Sequence, residues 1–229
     1  MSDAKIRQRA GTYQRGEDTR RRILDAALAA FAADGYEGVS TRALAEQAGI
    51  NLPAIQYYFG SKEGLYRAVI QSIARDIEET MAPINARVQQ ALAGDEVPHR
   101  ELLALLHQVL DAFVSMVSCG ENLESRRMLF ARAEIERTAA LELLHETGRR
   151  HVFEPCAQLI ARLIGQPLAS EEVLLRTLMI VGEVVIFCNK GARRELGAGA
   201  LSEDRILAIQ ALVREHTAAI FRATKGTSR

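Results

Sequence analysis

The sequence predicts an all-α protein with an N-terminal three-helix helix-turn-helix domain and a larger C-terminal helical domain. Three observations carry that prediction. Apolar residues recur at helical steps from Ile23 to Phe221, and no alternating β-branched segment interrupts them to suggest a sheet. Residues 36–66, YEGVSTRALAEQAGINLPAIQYYFGSKEGLY, set two short helices around one glycine-containing turn. The 229 residues suffice for one small and one larger domain.

Taken in order, residues 1–16 are basic and poor in apolar side chains, which predicts a disordered arm available for phosphate contacts. Asp18 or Thr19 can cap a first helix whose inner face holds Ile23, Ala27, Leu28 and Phe31, and Gly35 ends it. Ser40 and Thr41 open the next helix, Leu44, Ala45 and Ala48 give it an inner face, and Gly49 stops it. Leu52 and Pro53 restart the chain for a short helix to Phe59. Ser61-Lys62-Glu63 begins a long helix carrying Leu65, Val69, Ile73, Ile77 and Met81, reaching Leu92 with a disturbance near Pro83. Further helices are expected over 98–118, 122–137, 139–164, 170–194 and 202–222, and the domains over 17–66 and 67–229.

The helix of residues 52–59 exposes unusual chemistry. Ile55 and Phe59, four apart, face inward, which turns Ala54, Gln56 and Tyr57 outward and Tyr58 to the flank. A phenol can donate to a phosphate oxygen and Lys62 adds charge, while Arg42 and Gln56 offer hydrogen bonds to base edges in a major groove. The bland alternative is that Tyr57 and Tyr58 only pack the domain.

Overall charge balances at +0, yet the distribution does not. Lys5, Arg7, Arg9, Arg15, Arg20, Arg21 and Arg22 crowd the first residues against Asp3, Glu17 and Asp18, so one end of the chain is suited to phosphates. The start has no apolar signal segment, and no run reads as long and uncharged enough to span a bilayer, so a cytoplasmic protein without membrane contact is expected. Cys119, Cys156 and Cys188 are widely spaced and read as free thiols, and His145, His151 and Cys156 fall on different helix faces, so no metal is assigned. No phosphate-cradling glycine loop, G-x-S-x-G elbow or zinc-spaced His-Glu pair is present. Catalytic residues and cofactors are therefore expected to be none.

Residues 20–66, RRRILDAALAAFAADGYEGVSTRALAEQAGINLPAIQYYFGSKEGLY, resemble the DNA-binding domain of the TetR family of bacterial transcriptional regulators. The likeness rests on the amphipathic first helix, the Gly-aromatic turn, the T-x-R-x-L-A-x-x-A-G core, the Tyr-Tyr-Phe ending of the short helix and the Ser-Lys-Glu after it. It implies DNA contacts at Thr41, Arg42, Leu52, Pro53, Ala54, Gln56, Tyr57, Tyr58 and Lys62. Gln56 stands where many members carry an aromatic, which favours a base contact over a phosphate contact there. The IQYYFGSKEG wording and the long C-terminal region resemble the CecR-like subgroup. The resemblance also implies a repressor that binds a palindromic operator as a homodimer and answers to a small-molecule effector, unidentified by the sequence.

Two helices fit the dimer role. Residues 173–188, VLLRTLMIVGEVVIFC, are apolar on more than one face, and the helix near 202–222 has a wide apolar arc, so the regions near 170–194 and 202–222 are expected to pair across a two-fold axis. An effector pocket is expected among the helices after Pro98, drawing on His107, Leu110, Asp111, Phe113, Met116, Arg127, Phe153 and Glu183. Glu183 interrupts an apolar run, so a paired arginine or a ligand is expected beside it. The competing function class is a helical adaptor that keeps its helix-turn-helix for packing. It would bind DNA weakly and without strong salt dependence.

Overall fold

The periodicity of the sequence is realised as helices throughout: the computed structural model describes residues 2–94, 96–136, 139–197 and 201–224, and side chains over 16–94, 96–132, 142–189, 191–197 and 201–222. The helices are α1 (Ser2–Gly38), α2 (Thr41–Ala48), α3 (Leu52–Phe59), α4 (Lys62–Leu92), α5 (His99–Ser118), α6 (Leu123–Glu136), α7 (Ala139–Gly148), α8 (Glu154–Ile164), α9 (Glu171–Val185), α10 (Lys190–Glu195) and α11 (Glu203–Thr224). Helical backbone begins at Ser2, where a disordered arm was expected. Ala4, Arg7, Gln8, Arg9 and Ala10 are good helix formers, and no proline stands among them. Gly35, at φ 75 and ψ 174, interrupts α1 as expected, and one further turn follows.

The described residues form two compact units, Met1–Ile73 with Glu124–Leu143, and Ala74–Leu123 with Leu144–Arg229. Most of α6 belongs to the first unit. A chemical reason is visible at the end of α1. The Gly35 break removes helical donors from the preceding carbonyls, and the Arg132 guanidinium of α6 donates to the carbonyl oxygens of Ala32, at 2.7 Å, and Ala33.

In the first unit Ile23, Ala27 and Phe31 of α1, Leu44, Ala45 and Ala48 of α2, Ile55 of α3, and Leu65, Val69 and Ile70 of α4 are buried. Each large side chain so buried contributes roughly 1.5–3 kcal/mol. Tyr66 presents its ring to the edge of Phe31 at 5.0 Å and lies 5.1 Å from Tyr36, which ties the start of α4 to the end of α1.

In the second unit α5 packs on α8, α9 and α11, and α8 also packs on α9. By length and hydropathy α5 is apolar enough to cross a membrane, contrary to the expectation from sequence. Its Leu102, Leu105, Leu106, Val109, Leu110, Phe113 and Val114 are instead buried, making it the core helix of the unit. Two helices expected to be continuous are divided. Pro155 has no N–H to continue an unbroken ladder, and a π turn at Arg149–Phe153 separates α7 from α8. A 3-10 turn at Ile186–Cys188 ends α9, and Asn189 then caps α10 by accepting from the N–H of Gly191 at 2.7 Å.

Candidate nucleic-acid interface

The site begins with the caps that fix two short helices. Ser40 Oγ accepts from the N–H of Ala43 at 3.1 Å to start α2, and Gly49 closes that helix in the left-handed conformation at φ 62 and ψ 40, where a side chain would be strained. Asn51 Oδ1 accepts from the N–H of Ala54 at 3.1 Å and thereby starts α3, with Pro53 in its first turn. The expectation credited Leu52-Pro53 with the restart, whereas Asn51 supplies the cap. An asparagine immediately before Leu-Pro was the available signal.

Anchored this way, α3 buries Ile55 and turns the rest outward. Ile55 is 2% exposed while Tyr57 is 83% exposed, and Leu52, Pro53 and Gln56 are exposed beside it. Ala54 and Thr41 are half-buried. Tyr58 is also half-buried, edge-on to Tyr57 at 5.1 Å, and a Cβ built on Gly16 would lie 3.6 Å from its hydroxyl oxygen. Phe59 is half-buried, with the Arg20 guanidinium 5.5 Å from its ring. Tyr58 therefore sits on the flank expected of it, and the stacking that orients it leaves Tyr57 free toward solvent.

The basic members differ in their restraint. The Arg42 side chain is 85% exposed and holds only a loose pair with Glu46 at 3.5 Å, which a base or phosphate can replace at little cost. Lys62 is held more firmly, its Nζ 4.5 Å from the Tyr36 ring and 3.5 Å from the Glu37 carbonyl oxygen. Arg22, read in the sequence only as part of the basic run, and Gly64, which the sequence reading did not single out, complete the frame. Arg22 donates to the Ala48 carbonyl at 3.0 Å, and Gly64 lies so close to the end of α3 that a Cβ there would fall 2.1 Å from the Phe59 carbonyl oxygen.

Residues 23–69 match the family described as bacterial regulatory proteins, tetR family, and residues 102–224 match the C-terminal domain of the HTH-type transcriptional dual regulator CecR. The chain belongs to the TetR family. It is 30% identical over 173 residues to the HTH-type transcriptional dual regulator CecR of Shigella flexneri, covering 76% of this chain and 77% of that one. It is 33% identical over 93 residues to the HTH-type transcriptional repressor NicS of Pseudomonas putida, covering 41% of this chain and 42% of that one. A TetR-like transcriptional regulator from Rhodococcus sp. RHA1 has the same fold, with a TM-score of 0.58 at 22% identity over 87% of this chain and 93% of that one. As a TetR-family member the chain is a DNA-binding transcriptional regulator.

In this TetR-family chain the expected pocket residues are distributed unevenly. Leu110 and Phe113 are buried on α5, Met116 is half-buried there, and Phe153 is half-buried in the π turn. His107 and Asp111 turn to α11: a His107 ring nitrogen lies 2.9 Å from Thr217 Oγ1, and Asp111 receives Arg214 Nε at 3.0 Å on both oxygens. Burial lowers the His107 pKa below its ordinary value, with Asp111 opposing that shift and Arg214 adding to it. Arg127 is buried on the α6 segment of the first unit, 3.8 Å from Glu124. Glu183 on α9 has Oε2 3.5 Å from His216 Nδ1 of α11, a contact that is an ion pair when the histidine is protonated, and that buried oxygen has no hydrogen-bond partner among the described residues. A separate cleft of about 490 Å³ in the second unit is lined by Glu96, Val97, Pro98, Leu102 and Arg162, none of them expected. Among the thiols, Cys119 is exposed, whereas burial pushes Cys156 up to about 12 and keeps it protonated.

Proposed function

We propose that this chain is a cytoplasmic, ligand-responsive repressor that acts as a homodimer on a palindromic operator. The observation that carries the reading is the outward face of α3: Tyr57 and Gln56 project into solvent from a capped helix only eight residues long. Placed in a major groove, Gln56 and Arg42 would reach base edges, and Thr41, Tyr57, Tyr58 and Lys62 would reach phosphates. Leu52, Pro53 and Ala54 would make the apolar contacts at the start of the helix.

Dimerisation would use α9 and α11. Leu174, Leu175, Leu178 and Met179 of α9 and Leu207 and Leu212 of α11 are large, apolar and exposed in the single chain, as expected of a surface covered by a second copy. Such a dimer would present two α3 helices to half-sites about 34–36 Å or a multiple apart. Effector binding in the second unit, among Leu110, Phe113, Met116 and Phe153 with His107, Asp111 or Glu183 as polar partners, would favour a shape with lower DNA affinity. Arg127 belongs to the first unit and is left out of that set.

Selection of bound sequences from random duplex DNA by the purified protein at near-physiological salt tests the reading. A palindromic consensus is the expected result, and Gln56→Ala should then lose about 1–3 kcal/mol of discrimination at one position of each half-site. Recovery of no consensus by a folded protein would overturn the reading of a free dimer on a palindromic operator. Equal losses on consensus and random DNA for Gln56→Ala would remove its base-reading role.

A further inference from the structure

The basic run Arg20-Arg21-Arg22 reads in the sequence as charge for phosphates, yet two of its members point back into the protein. Arg20 lies over the Phe59 ring, and Arg22 Nη2 donates to the carbonyl of Ala48, 26 residues away. Ala48 is the last residue of α2, so its carbonyl lies beyond the hydrogen-bond ladder of that helix, at the negative end of the helix dipole. A guanidinium there makes a charge-assisted bond to a group that would otherwise depend on water. The same head group stands 3.4 Å from where a Cβ on Gly49 would be, so it lies against the turn itself.

That turn decides where the reading surface points. Three buried residues, Leu44, Ala45 and Ala48, hold α2 in place, whereas α3 buries Ile55 alone among its eight residues. With so narrow an anchor, the direction of α3 is set mainly by residues 49–51, where it leaves α2, and by the close approach of Gly64 at its far end. We infer that Arg22 is a positioning residue for DNA reading, acting through the Ala48 carbonyl to hold the angle between α2 and α3. The inference rests on the DNA-reading role proposed above and goes further, because Arg22 is exposed and its competing role is an ordinary phosphate contact.

The two roles separate in one experiment. Full-length wild-type protein and Arg22→Met, which keeps the aliphatic stem without the donors, are titrated onto the wild-type consensus duplex and a random duplex of equal length at several salt concentrations. Positioning predicts that consensus affinity falls about tenfold while random-duplex affinity and the slope of affinity against salt stay unchanged. A phosphate contact predicts equal losses on both duplexes and a salt slope smaller by about one, which would overturn the inference. A lowered melting temperature with the consensus-to-random ratio intact would assign Arg22 to stability alone and overturn it as well. Should Arg22→Met melt below the assay temperature, Arg22→Lys carries the test, since it keeps the charge on a single, more mobile ammonium. A ratio reduced about threefold at unchanged salt slope supports positioning, and a wild-type ratio overturns it. Failure of the wild-type protein to select any consensus would overturn both readings and is seen before a variant is made.

Discussion

Gly64 shows how a single missing methyl group can shape a reading surface. Its N–H donates to Ser61 Oγ at 3.0 Å, which opens α4, and its bare Cα lets the Phe59 carbonyl approach to a distance that no Cβ tolerates. The obstacle is backbone, so relief requires the end of α3 to move relative to the first turn of α4. Gly64→Ala should therefore cost about 1–3 kcal/mol in thermal unfolding, as overpacked sites do, and also reduce the consensus-to-random affinity ratio. A variant with wild-type melting and wild-type ratio would show that the contact relaxes without consequence. Arg42 lies at the other extreme, its side chain in water and its pair with Glu46 too loose to fix it.

At the scale of elements, α5 and α11 are joined by a polar ladder laid over an apolar seam. His107, Asp111 and Ser115 recur every four residues on α5 and meet Thr217, Arg214 and Gln210 of α11. Gln210 donates to Ser115 Oγ at 3.1 Å and to the Asp111 carbonyl at 3.0 Å. Burial holds the His107 pKa below its unfolded value, so the unfolded chain binds a proton more readily than the folded one. Stability from this group is present above the ordinary histidine pKa of about 6.5 and is lost as pH falls through that value toward the folded pKa. Urea unfolding should accordingly show a lower midpoint at acidic than at neutral pH, and His107→Gln, which can still bond Thr217, should flatten that dependence. An unchanged pH profile in His107→Gln would place the acid sensitivity elsewhere.

For the whole molecule, the exposed apolar faces of α9 and α11 carry the proposal about assembly. Met179 is 70% exposed, and Leu178 and Leu212 each leave more than half of their surface to water. A double variant, Met179→Asp with Leu212→Asp, should sediment as a monomer with wild-type helical content. Its consensus affinity should drop about a hundredfold or more, since the second half-site is then engaged without linkage to the first. Persistence of the wild-type oligomer would send the dimer surface elsewhere. The Glu183–His216 pair lies between the same two helices, so its environment should change when that surface is covered.

The sequence by itself determined the helical class, the span of α3 and the reach of α4 to Leu92, because apolar period, caps and glycine stops are local signals. It likewise identified Tyr57 and Gln56 as outward-facing, since burying Ile55 leaves one direction for its neighbours. Only the tertiary structure decided that α6 joins the first unit, that Arg22 turns to Ala48, that Gly64 admits the Phe59 carbonyl, and that His107 and Asp111 serve α11. These depend on which polar group of one element lies opposite an unsatisfied group of another, often a hundred residues away, and no periodicity within either element encodes that meeting.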